Sequence, residues 1–153
     1  MDELVQNFSI HKKWVSAVAV FPDGKKVVSG SGDDTVKIWD AESGEELRTL
    51  SVHSHSVRAV AVFADGKRVM SGSYDGTVKI WDAETGEELR TLSGHSDWVR
   101  AVAVSADGRK VVSGIADNTV KIWKMIKYYV PTKRVSNLLL SALNEDVVGI
   151  IMK

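Results

Sequence analysis

Short apolar runs closed by turn residues follow one another from Val15 to Trp123. "VRAVAV", Val57 to Val62, is largely apolar on both faces, the pattern of a strand buried on two sides. "ADG" comes next and predicts a tight reversal, because Asp-Gly readily takes the positive φ that such turns require. "KRVMSGS" predicts a second strand, "YDG" a second turn and "TVKIWD" a β-branched third strand. After "AETG", the stretch "EELRTL" alternates charged and apolar residues, as an exposed outer strand does.

This pattern repeats with a period of 42 residues. Trp39, Trp81 and Trp123 keep that spacing, as do His11, His53 and His95, and Asp23, Asp65 and Asp107 fall on the same ruler. A four-stranded antiparallel sheet cannot hide two apolar faces alone. Stacking such sheets around an axis hides them, and that makes a propeller.

"SGHSDW", "SGSYD" and "VKIWD" resemble the WD-repeat β-propeller family, whose units carry a Gly-His and a Trp-Asp signature. The resemblance runs from about Leu4 to Trp123, and it departs from the pattern at Ile10-His11, Val52-His53 and Trp123-Lys124. It implies an all-β fold of about three four-stranded blades, an incomplete ring as a monomer. The chain divides into a repeat region, 1–123, and a non-repeat extension, 124–153.

His53, Ser71 and Asp75 are the residue types of a nucleophilic triad. They recur as His11, Ser29 and Asp33 and as His95, Ser113 and Asp117, each time followed by a tryptophan six residues after the aspartate. Three identical catalytic sites in one small domain would be odd, and a repeated structural device is what a repeat fold produces. The resemblance implies a buried Asp–His–Ser–Trp network in each blade, completed by Trp39, Trp81 and Trp123. Chemistry agrees: imidazole bridges a carboxylate and a hydroxyl, and the hydroxyl accepts from an indole N–H. No G-x-S-x-G elbow is present, so neither catalytic residues nor enzyme activity are expected.

Trp14 and Trp98 stand outside the period, each three residues after a repeat histidine. In WD-repeat propellers similar positions on the narrow face form the partner surface. Carried across, they are Trp14, Ser16 and Gly32; Ser56, Arg58 and Tyr74; and Trp98, Arg100 and Ala116. These vary while the framework does not, and Trp, Tyr and Arg are the types that dominate binding hot spots. The alternative at Trp14 and Trp98 is plain packing against the neighbouring blade. The reading is a non-catalytic scaffold that binds a protein or peptide, with a regulatory association hinted by the family. Two others stand beside it: an RNA-binding surface built on Lys12, Lys13, Arg58 and Arg100 with Trp14, Tyr74 and Trp98, and a fragment of a larger WD-repeat regulatory protein.

Composition narrows the field further. Lys plus Arg equals Asp plus Glu at 20 each, which gives no argument for DNA or an anionic membrane. Cysteine is absent, so disulfides, thiolate catalysis and zinc–thiolate sites are excluded together. "HSH", His53 to His55, occurs in one unit without a neighbouring carboxylate or cysteine, and no metal or cofactor is expected. "MDELVQNFSIHKKW" lacks a basic stretch before an apolar one, unlike a signal peptide, and no apolar run is long enough for a membrane helix. A cytoplasmic location is expected.

Typical propellers have roughly 4–8 blades, more than this chain supplies. "ELVQNFSIH", Glu3 to His11, aligns without gaps with "EELRTLSVH", Glu45 to His53, and so reads as an outer strand arriving ahead of its own blade. Two copies would close a six-bladed ring by exchanging outer strands, giving a homodimer or, with more copies, a higher oligomer; the alternative is a truncated or fragmentary product of a longer repeat array with open blade faces. Beyond Trp123, "KMIKYYV" predicts a strand stopped by Pro131, and "SNLLLSALNEDV" a helix capped by Ser136 or Asn137. This tail is either a cap over the third blade or a remnant without a role.

Overall fold

The computed structural model describes residues 1–126 apart from residues 10 and 52. It is built from antiparallel strands alone: β1 Val15–Val20, β2 Lys26–Ser31, β3 Val36–Asp40 and β4 Glu46–Leu50; β5 Val57–Val62, β6 Arg68–Ser73, β7 Thr77–Asp82 and β8 Glu88–Ser93; β9 Val99–Val104, β10 Lys110–Ile115 and β11 Val120–Lys124. They form three sheets in simple meander order, β1-β2-β3-β4, β5-β6-β7-β8 and β9-β10-β11, which are the three blades of the repeat. Blade 3 has three strands among the described residues. Of the strand expected over 124–130, Lys124 ends β11 and Met125 and Ile126 join no strand; its remainder and the expected helix lie outside the described residues.

Each turn carries the chemistry its sequence promised. Gly24, Gly66 and Gly108 take positive φ near +70°, and the preceding Asp23, Asp65 and Asp107 carboxylates accept the N–H two residues on. The next turn needs the same left-handed conformation, supplied by Asp34, Gly76 and Asn118. A register shift near the start of β1 and β5 puts Val15 and Val57 on the same sheet face as the valines three and five residues on.

The core sits between blades rather than within one. Phe21, Val28, Val36, Ile38 and Leu50 of blade 1 pack on Val57, Val60, Val62, Val69 and Trp81 of blade 2. One unit on, Phe63, Met70, Val78, Ile80 and Leu92 pack on Val99, Val102, Val104, Val111 and Trp123. Each blade therefore has a front face, turned to the next blade, and a back face, turned to the one before. Glycines bring these faces close: a Cβ on Gly30 would lie 2.6 Å from a Val57 methyl, and one on Gly72 2.6 Å from a Val99 methyl.

The N-terminal outer strand expected over Glu3 to His11 is not formed as a strand. Residues 1–9 join no ladder, because an outer strand pairs with the third strand of its own blade, and the blade this segment would finish lies ahead of β1. The segment is nonetheless placed: Phe8 stacks on Trp39 with ring centroids 5.5 Å apart.

A buried framework and a candidate interaction surface

Ser71 on β6 and Trp81 on β7 are fully buried where the strands pair, and the loop entering β5 brings His53 over them. His53 Nε2 lies 2.7 Å from Ser71 Oγ and its Nδ1 lies 2.8 Å from Asp75 Oδ2. The Trp81 indole N–H donates to Ser71 Oγ at 3.0 Å. The carboxylate only accepts, so the imidazole proton belongs on Nδ1 and Nε2 accepts from the serine. Blade 1 repeats the arrangement, with 2.9 Å from His11 to Asp33, 2.7 Å from His11 to Ser29 and 2.8 Å from Trp39 to Ser29.

Burial would raise the Asp75 carboxyl, but hydrogen bonds from His53 and Thr77 outweigh it and hold the group well below the ordinary carboxylate range. At Asp33 burial is likewise outweighed by hydrogen bonds from Thr35 and His11. In blade 3, His95 Nε2 is 2.8 Å from Ser113 and Trp123 donates to that serine at 3.0 Å. His95 Nδ1, however, is buried without a hydrogen-bond partner, and the exposed Asp117 accepts from the Ser96 hydroxyl at 3.0 Å instead. Burial, then the nearby Lys121 charge, lowers the His95 pKa.

This geometry suits cohesion and not hydrolysis. The Ser71 oxygen is enclosed between imidazole and indole with no face toward solvent, so a substrate has no approach to it.

Each network has a further member that the triad letters do not reveal, a threonine. Thr35, Thr77 and Thr119 donate both backbone N–H and hydroxyl to the aspartate two residues before them. The signal was present, since "DDT", "DGT" and "DNT" keep the period. Lys37 and Lys79, not evident from the spacing of the triad letters, each pair across strands, with Glu46 and Thr49 and with Glu88 and Thr91 respectively.

The positions that vary between units collect at the ends of the first strands. Tyr74 stacks on Trp98 of the following unit, 4.5 Å between centroids and 20° between planes, and the Arg58 guanidinium lies 5.4 Å from the Tyr74 ring centre. Arg58, Tyr74 and Trp98 thus form a ladder across blades 2 and 3, with Arg58 Nε buried and unpaired. Beside it is a cleft of about 200 Å³ lined by Tyr74, Asp75, His95, Asp97 and Trp98.

The backbone holds these pairs in place. Gly32, Tyr74 and Ala116 donate their N–H groups to the carbonyls of Trp14, Ser56 and Trp98 at 2.9–3.0 Å. Trp14 lies apart from the ladder, its exposed ring over the bare α-carbon of Gly32, where a Cβ would come within 2.5 Å. Arg100 is exposed. Ser16 is turned inward, its hydroxyl donating to the carbonyls of Gly30 and of Val57 in the next blade.

The family described as WD domain, G-beta repeat matches residues 2–40, 44–82 and 86–124. The chain belongs to this family. Its WD repeats are also similar to short parts of longer curated proteins. Over 37 residues the chain is 46% identical to the nuclear distribution protein PAC1 of Candida tropicalis, covering 24% of this chain and 8% of that protein. Over 45 residues it is 42% identical to the transcriptional repressor tup12 of Schizosaccharomyces pombe, covering 29% of this chain and 8% of the relative. The matched stretches span less than a tenth of these relatives' lengths.

Proposed function

We propose that this WD-repeat chain is a non-catalytic scaffold that binds protein or peptide partners through the surface formed by Trp14, Ser56, Arg58, Tyr74, Trp98, Arg100 and Ala116. Gly32 and Ser16 hold that surface from beneath. The observation that carries the reading is the Arg58–Tyr74–Trp98 ladder, built from non-repeating letters on a repeating frame. Stacked aromatics beside an arginine bury much area at low entropic cost. The cleft at its edge carries Asp75 and Asp97, so it favours a lysine or arginine side chain over a phosphate, and a basic peptide over RNA. A regulatory role in the cytoplasm belongs to the same proposal; the cysteine-free sequence suits a reducing compartment.

Selection from a displayed peptide library tests this. Enrichment of peptides with a basic residue next to an apolar one is expected, with Trp98→Ala weakening the selected peptides at least tenfold while the melting temperature holds. Peptides that bind Trp98→Ala equally would overturn the assignment. A salt-sensitive shift of a single-stranded RNA homopolymer, abolished by Arg58→Ala, would replace it with the RNA reading.

A further inference from the structure

Among the described residues two sheet faces are open, and together they are the two halves of an interface the chain already makes twice. On the front faces of blades 1 and 2, Val36, Ile38 and Val78 are 0% exposed and Ile80 1%; the same positions on blade 3, Val120 and Ile122, are 68% and 69% exposed. On the back faces, Val57 and Val99 are 0% exposed, whereas Val15 on blade 1 is 53% exposed, with Val18 at 72% and Val20 at 62%. Gly30 and Gly72 receive valines of the following blade, but a Cβ on Gly114 would meet only Ala101 of its own blade, at 3.6 Å.

The N-terminal segment completes the correspondence. Leu50, in the outer strand of blade 1, packs in one core with Trp81 of blade 2, and Arg48 Nε donates to the Glu84 carbonyl at 2.8 Å. Forty-two residues earlier in the sequence, Phe8 stacks on Trp39 and Gln6 Nε2 donates to the Glu42 carbonyl at 2.6 Å. Residues 3–9 therefore lie where the outer strand of a preceding blade belongs, and no inner strands pair with them among the described residues. Between this segment and the back face of blade 1 is a groove of about 720 Å³, lined by Leu4, Phe8, Val18, Val20 and Trp39 among others. Blade 3 is the converse, three inner strands with no outer strand among the described residues.

We propose that β9–β11 of a second copy of this chain stack on this back face, the second copy's β11 gaining residues 3–9 as its fourth strand, and that the exchange is reciprocal. Two copies of the three described blades make six, within the roughly 4–8 of closed propellers. The internal ladders set the register: Lys37 faces Thr49 and Lys79 faces Thr91, so Lys121 faces Asn7 of the other copy. Val15 and Val18 then seat against Gly114 as Val57 and Val60 do against Gly30. The proposal concerns the blade faces and is independent of the aromatic ladder, so either can fail alone.

The sequence has no cysteine, which makes a cross-link test clean. Facing residues in an antiparallel pair have Cα atoms about 4.5–5.5 Å apart, inside the disulfide range of about 4.4–6.8 Å. Oxidised Asn7→Cys/Lys121→Cys protein is expected to run as a thiol-reversible dimer, with the single variants remaining uncross-linked. Light scattering should give twice the chain mass for the unmodified chain. Gly114→Leu, which fits the isolated blade, should halve that mass while keeping the circular dichroism of the folded sheet. A monomeric unmodified chain, a disulfide within one chain, polydisperse aggregates, or a folded Gly114→Leu protein of undiminished mass would overturn the proposal. Should Gly114→Leu not fold, the cross-link decides.

Discussion

Ser71 is the residue on which the buried network turns, because it is the shared partner of His53 and Trp81. Removing its hydroxyl leaves an imidazole nitrogen and an indole N–H buried and unpaired, at about 1–3 kcal/mol each. At about 1–3 kcal/mol for each of the two groups and about 2–4 °C per kcal/mol for a chain of this size, Ser71→Ala is therefore expected to lower the melting temperature by roughly 4–24 °C. Ser113→Ala should cost about half as much, since its network is already open at His95 and Trp123 is only half-buried. Calorimetry on both variants checks the order. The letters alone could not show this inequality. His95, Ser113 and Asp117 have the same spacing as their counterparts; what differs is that Asp117 is exposed while Asp33 and Asp75 are half-buried.

At the scale of the element, strands and turns were legible because each strand is short, β-branched and bounded by residues that favour a left-handed turn. The period made the reading firm, since an apolar run that recurs twice in register is hard to mistake. Contacts between units were less legible. That Tyr74 stacks on Trp98, or that Ser16 spends its hydroxyl on the Val57 carbonyl, depends on how one blade lies on the next, which spacing within a unit does not encode. The N-terminal segment shows the same limit. It aligns with an outer strand, yet strand geometry needs a hydrogen-bonding neighbour that one copy does not place beside it. The close approach of blades gives a matched pair of tests. Gly72→Val drives a side chain into Val99 and Val102, at 2.6 and 2.9 Å from the new Cβ, whereas Gly114→Val meets nothing closer than 3.6 Å. Overpacking of the first kind costs about 1–3 kcal/mol, so Gly72→Val should unfold at lower urea concentration and Gly114→Val, compared under conditions that keep both monomeric, should not.

The whole molecule is a stack in which each blade is stabilised by its neighbours, as in other repeat proteins. Blade 2 is covered on both faces, by blade 1 and by blade 3, and its Val69, Met70, Val78 and Ile80 are accordingly buried. Among the described residues blades 1 and 3 are each covered on one, and Val18, Val20, Val120 and Ile122 are exposed. In the proposed dimer a second copy would cover both ends at once, and the stability of such an assembly is inseparable from protein concentration. The most direct measurement is the melting temperature of the unmodified chain over a hundredfold range of concentration. We expect it to rise by several degrees as concentration rises, in step with the dimer mass. A melting temperature independent of concentration, at the mass of a single chain, would contradict closure by a second copy.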